Sequence, residues 1–161
     1  MSKAEELAKA MQAKQTQAVD QEQQVKTFIA RWITDVQELF LDIERWIDPL
    51  VKAGLKVTRQ MMHKSESPLD KPVSYSIERI QLQFNGKTIT LDPSARFILG
   101  GKGRIDIRAD RQELLLIHSA TDELEDQWGI WTKPERGAVR PDVIPFDEDY
   151  MLGLIQKTFN L

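Results

Sequence analysis

The segment Val73 to Leu91, VSYSIERIQLQFNGKTITL, constrains the fold more than any other part of the chain. Asn85-Gly86 stands between two alternating runs, and a type I′ turn requires positive φ at both central residues, a conformation Asn and Gly tolerate. A two-residue turn sets Phe84 opposite Lys87, Leu82 opposite Ile89 and Ile80 opposite Leu91, so apolar meets apolar at two successive rungs. Glu78 and Arg79 interrupt the alternation between Tyr75, Ile77 and Ile80, which predicts a bulge there.

More hairpins follow. LGGKGRIDIR, residues 99–108, holds three glycines around Lys102, a pattern that invites comparison with a phosphate-binding loop. Such a loop needs four residues before Gly-Lys-Ser/Thr and then a helix whose N-terminus faces the phosphate. Here no hydroxyl follows Lys102 and the next residues alternate like a strand, so the reading is a hairpin loop of three or five residues, aligning Phe97 and Leu99 with Ile105 and Ile107. A turn at Asp110-Arg111 puts Ile107 opposite Leu114 and Ile105 opposite Leu116. ELLLIHS is apolar on both parities, which predicts a central strand covered on both faces from Leu114 to Ile117. QWGIWTK reads as the last clear strand. The tail PFDEDYMLGLIQKTFNL then reads as a helix, with Asp147, Glu148 and Asp149 at its start and Tyr150, Met151, Leu154, Ile155 and Phe159 on its apolar face.

In front of the strands, Ile29, Trp32, Val36, Leu39, Ile43, Trp46 and Leu50 recur at steps of three and four, the mark of a helix. Ile33, Phe40 and Ile47 widen that seam to a stripe suited to lying on a sheet. Before Val25 the same register gives Glu22, Ala18, Gln15, Met11, Ala8 and Ala4, a face with little to bury. Residues 1–24 therefore read as a solvated helical arm, frayed at its start, and residues 25–161 as a single α+β domain. Asp48-Pro49 predicts a break or bend in the helix and Gly54 a left-handed stop. Residues 55–63 fit two periods, and the β-branched Val57 and Thr58 favour a first strand. SESPLDKP, residues 65–72, is a loop by composition. The fold class expected is α+β: a long N-terminal helix packed on a mostly antiparallel sheet of about five to seven strands, with a short C-terminal helix.

Composition narrows the chemistry. The chain of 161 residues has no cysteine, which excludes disulfides, thiol catalysis and thiolate metal sites. It has no run of eighteen apolar residues and no apolar signal segment, so a cytoplasmic protein without a membrane span is expected. Residues 1–50 carry 6 basic and 9 acidic groups, 51–120 carry 12 and 7, and 121–161 carry 4 and 9, so a basic middle lies between acidic flanks.

No constellation of residue types demands an enzyme. His118 shares the face of Leu114 and Leu116 and reads as an edge-of-core histidine before it reads as a general base. His63 and His118 are too far apart in sequence to suggest a metal site, and the acidic run DELED lacks the glycine and spacing of a calcium loop. No cofactor, metal or catalytic residue is therefore assigned. The candidate interaction surface consists of Trp128 and Trp131, one on each face of a short strand, together with Arg104, Arg108 and Arg111. The reading favoured is a non-enzymatic protein-interaction module, adaptor-, chaperone- or inhibitor-like, with a protein partner and with self-association through the N-terminal helix as a further option. The alternative is a nucleic-acid binder using a basic sheet face of Arg96, Lys102, Arg104, Arg108 and Arg111, although those strands lack aromatic stacking platforms. An enzyme whose site cannot be read from one sequence is the third.

Overall fold

A computed structural model describes residues 2–119, 127–132 and 143–161. Helix α1 spans Lys3–Lys52, and strands β1 (Lys56–Glu66), β2 (Val73–Phe84), β3 (Lys87–Ala95), β4 (Gly101–Ala109), β5 (Gln112–Ser119), β6 (Trp128–Trp131) and β7 (Val143–Pro145) follow it. Helix α2, Glu148–Phe159, closes the chain. Among the described residues the strands form one antiparallel sheet in sequence order, β1 to β7, each paired with the next. This is the expected α+β architecture, a helix pair laid on a meander.

The hairpin chemistry is local and appears as read. Asn85 and Gly86 have φ of 52° and 81°, and Phe84, Leu82 and Ile80 face Lys87, Ile89 and Leu91. Ile107 faces Leu114 and Ile105 faces Leu116 across the Asp110-Arg111 turn. The core lies between α1 and the inner face of the sheet, where Phe40, Ile43, Ile47, Ile80, Leu82, Ile89, Leu91, Ile105, Ile107 and Leu116 are fully buried. Burying each such side chain is worth about 1.5–3 kcal/mol, which makes this stripe the main anchor of the helix. On one side of α1, Arg59 of β1 donates from Nε to Glu44 at 2.6 Å with its guanidinium over Phe40; on another, Trp46 meets Phe146, which follows β7. Helix α2 is N-capped by Asp147, whose side chain accepts from the Tyr150 N–H, and buries Met151, Leu154, Ile155 and Phe159.

Five expectations are corrected. Helix α1 neither breaks nor restarts at Asp48-Pro49: Pro49 lies inside its last turn, the Pro49 carbonyl accepts from the Ala53 N–H, and Asp48 pairs with Lys52 at 2.8 Å instead of capping. A proline in a helix interior costs about 3 kcal/mol, and the fully buried Ile47 beside it holds the turn in place. The start of α1 is not frayed but closed by a capping box, in which the Ser2 side chain accepts from the Glu5 N–H and the Glu5 carboxylate accepts from the Ser2 N–H. No bulge at Glu78-Arg79 interrupts the β1–β2 ladder. Both strands change faces together, β1 at Gln60-Met61 directly opposite, so hydrogen bonding continues without a register shift. Leu99 does not join the core face: a bridge between Ile98 and Gly101 closes a two-residue turn, and Leu99 at its tip is 97% exposed. Strand β5 is not covered on both faces throughout, because Leu115 on the outer side is 39% exposed.

Gly101 and Gly103 are confined by packing, whereas Gly100 is set apart by its φ of 80°. Gly103 has φ of 147°, and a Cβ built there would lie 2.2 Å from Cζ3 of Trp32, whose ring rests on the Gly103 backbone. The β4 register shifts between Gly101 and Arg104 at this point, and Lys102 stands in that irregular step. Gly101 is confined by Ile117, Ile98 and the His118 carbonyl. The loop leads into strand β4, and its Gly103 forms part of the α1–β4 contact.

Candidate functional site

The arm is the longest run of exposed positions among the described residues. From Ser2 to Gln24 every described residue is exposed, and Val25 is the first to be buried. With a rise of 1.5 Å per residue the arm projects roughly 30 Å. It carries Leu7, Met11 and Val19 at more than half exposure, and Lys71 in the β1–β2 loop reaches Glu22 at 3.5 Å where the arm leaves the domain.

Trp128 and Trp131 do occupy opposite faces. Trp128 pairs with His118 on the inner side and stacks on its ring at 4.5 Å and 12°, with Trp32 beyond at 5.8 Å. Trp131 pairs with Leu115 on the outer side. They therefore belong to two surfaces, not one.

His118 is 2% exposed, and its Nδ1 lies 3.5 Å from the Asp35 carboxylate, which in turn accepts from Arg31 Nε at 3.1 Å. The cleft over this pair, about 220 Å³, is lined by Arg31, Asp35, Glu38, Leu39, Asp42, His118 and Trp128. A histidine held by a buried carboxylate is half of an acid/base device, and among the described residues the lining of this cleft includes no hydroxyl or thiol. Asp35 was not singled out in the sequence. Its signal was a carboxylate inside the apolar seam, one helical turn from Trp32 and Leu39. The acidic run DELED lies outside the described residues.

The five basic residues do not assemble into one face. Arg104 and Arg108 share the outer side of β4 with Asp106 between them. Arg104 Nε donates to Ser94 Oγ at 3.1 Å and sits 3.0 Å from Asp106, while Arg108 lies opposite Glu113. Arg111 lies in the β4–β5 turn beside Lys87 and Lys157, at a hollow of about 440 Å³. Arg96 turns toward the helix, its guanidinium over Phe28 at 4.9 Å and Phe97 at 5.3 Å. Burial pulls Arg96 below its ordinary value, with Glu66 and Asp35 pulling it back.

Glu66, at the end of β1, was also missed. Its carboxylate accepts from the backbone N–H groups of Arg96 and Phe97 at 2.9–3.0 Å and from the Tyr75 hydroxyl at 2.5 Å. Burial first, then this carboxylate, raises the Tyr75 phenol above its usual range. Next to it Lys64 reaches Asp92 at 3.0 Å. These contacts fasten the far half of β1 onto the end of β3, where the β2–β3 ladder has already stopped at Ile80 and Leu91.

Among the described residues no group of His, Asp and Glu is placed to hold a metal ion, and no helix is long and apolar enough to cross a membrane. Comparison with protein-family models, with curated proteins and with solved structures found no match.

Proposed function

We propose that this protein is a non-enzymatic interaction module that engages a protein partner through its N-terminal arm. The observation that carries the reading is the arm itself: a capped helix more than six turns long, continuous with the core helix, in which no described residue is buried. A helix of this composition is marginal alone in water, so packing on a partner is what would hold it. The seam of Ala4, Ala8, Met11 and Ala18 offers small residues that let another helix approach closely, with Leu7 beside it. The nucleic-acid alternative draws less support, because Arg104 is spent on Ser94 and Asp106 and the remaining basic groups point in different directions.

The test places a photo-crosslinking residue at Leu7 or Met11 and, as a comparison, at Leu115. Adducts to a discrete protein from the arm positions, unaffected by nuclease, are the expected result. Adducts confined to Leu115, or nucleic acid in place of protein, would sink the arm reading. Removing residues 2–24 should leave the melting temperature of the domain within about 2 °C of the full chain, because no core contact is lost.

A further inference from the structure

At the end of the sheet away from the arm, the start of β3, the β4–β5 turn and the last turn of α2 come together around a hollow of about 440 Å³. The Asp110 N–H donates to the Thr88 carbonyl at 3.4 Å, which holds the turn against β3, and Phe159 packs edge-on against Phe84 at 6.0 Å, which holds the end of α2 over the same corner. Lys87, Arg111 and Lys157 line the hollow. Among the described residues none of the three has a carboxylate within ion-pair distance, whereas Arg59, Lys64 and Arg104 elsewhere on the sheet each have one. Lys157 suits the carbonyl end of α2, but Lys87 and Arg111 have no such local reason to be there.

Thr158 is a second and independent sign of a ligand. It is 7% exposed and lines the hollow, yet its hydroxyl makes no hydrogen bond among the described residues, while Thr16, Thr27 and Thr34 on α1 each donate to the carbonyl four residues back. A buried hydroxyl is costly to leave unpaired, so it calls for a partner from outside the chain. Asp110 supplies the one carboxylate in the lining, so three cations face one anion with a surplus of two positive charges. A phosphate monoester, at about −1.5 to −2 near pH 7, matches that surplus, accepts from a hydroxyl and two ammonium groups, and fits the planar fork of an arginine. A carboxylate brings half the charge, and a triphosphate would set its further charges against Asp110 and the carbonyl end of α2. We propose that this hollow binds a single phosphate monoester dianion, held by Lys87, Arg111 and Lys157 with the Thr158 hydroxyl donating to it. The site lies within the domain and stands or falls independently of the arm.

The experiment uses the full chain and follows backbone amide NMR shifts as inorganic phosphate, glycerol phosphate or a short phosphoserine peptide is added at constant ionic strength. Saturating shifts centred on Lys87, Arg111 and Thr158 are expected. Arg111→Gln should weaken binding about fivefold or more, and Thr158→Val about threefold or more. Thr158→Val deletes a hydroxyl that has no partner in the chain, so the melting temperature should not fall, which separates a ligand contact from a structural one. Arg108→Gln removes the same charge outside the hollow and should change affinity by less than about twofold. Asp110→Asn, at a φ of 58° that asparagine tolerates, should tighten binding. The proposal is overturned by shifts that do not saturate or that centre elsewhere, by unchanged affinity in Arg111→Gln or Thr158→Val, by Arg108→Gln being as damaging as Arg111→Gln, or by ATP binding more tightly than the esters. A peptide that binds like glycerol phosphate supports the site with free esters as its ligand, and one at least about tenfold tighter supports it with a phosphorylated protein segment as its ligand.

Discussion

Replacing Gly103 with alanine tests the central contact between α1 and the sheet. The added methyl would sit 2.2 Å from Cζ3 and 2.5 Å from Cε3 and Cη2 of Trp32, well inside van der Waals contact, and Trp32 is only 1% exposed and cannot swing away. Overpacking of this kind costs about 1–3 kcal/mol. The φ of 147° adds about 1–3 kcal/mol for any residue with a Cβ. A loss of about 2–6 kcal/mol is expected, a large share of the about 5–15 kcal/mol that holds a typical domain together. Gly100→Ala is the comparison: its φ is 80° but its Cβ would lie an ordinary 3.4 Å from Trp131, so only about 1 kcal/mol of backbone cost remains. Urea denaturation followed by far-ultraviolet circular dichroism reads these differences without depending on the tryptophan signal. In a Trp32→Leu background the steric part of the Gly103→Ala cost should vanish, giving a coupling of about 1–3 kcal/mol between the two positions. A Gly103→Ala cost below about 0.5 kcal/mol, or strictly additive effects in that cycle, would refute the packing argument.

Three further outcomes are expected. The raised phenol of Tyr75 stays protonated in the folded protein after the unfolded chain has begun to ionise, so its contribution is fully present below about pH 10 and is lost as pH rises from there through its higher folded value. Tyr75→Phe should flatten that alkaline limb of the stability curve, and an unchanged limb would contradict the assignment. Lys102→Ala should alter stability by no more than about 0.5 kcal/mol, and ATP should not raise the melting temperature of the parent protein; nucleotide protection lost in the variant would restore the phosphate-loop reading. Neither DNA nor RNA should bind tightly at physiological salt, whereas steeply salt-dependent binding abolished by reversing Arg104, Arg108 and Arg111 would favour the nucleic-acid alternative.

What the sequence by itself determined was what depends on a few neighbouring residues. Asn85-Gly86 specifies a turn whose φ values few other pairs accept, and the turn sets which side chains face each other for several rungs on either side. The three-and-four spacing from Ile29 to Leu50 fixes one helix face, and Asp147 supplies its own cap to α2. The Ser2 to Glu5 capping box is equally local, two residues three apart that satisfy each other's backbone N–H groups. Only the tertiary structure could decide matters that hinge on partners far apart in the chain. Pro49 reads as a stop in isolation, yet the buried Ile47 beside it keeps the turn helical. Gly103 reads as loop flexibility until Trp32, some seventy residues earlier in the sequence, is seen resting on it. The same holds for Asp35 beside His118 and for Glu66 beneath the Arg96 and Phe97 N–H groups. The sign of each local preference is written in the sequence, but its outcome is set by burial energies that exist only once α1 and the sheet have met.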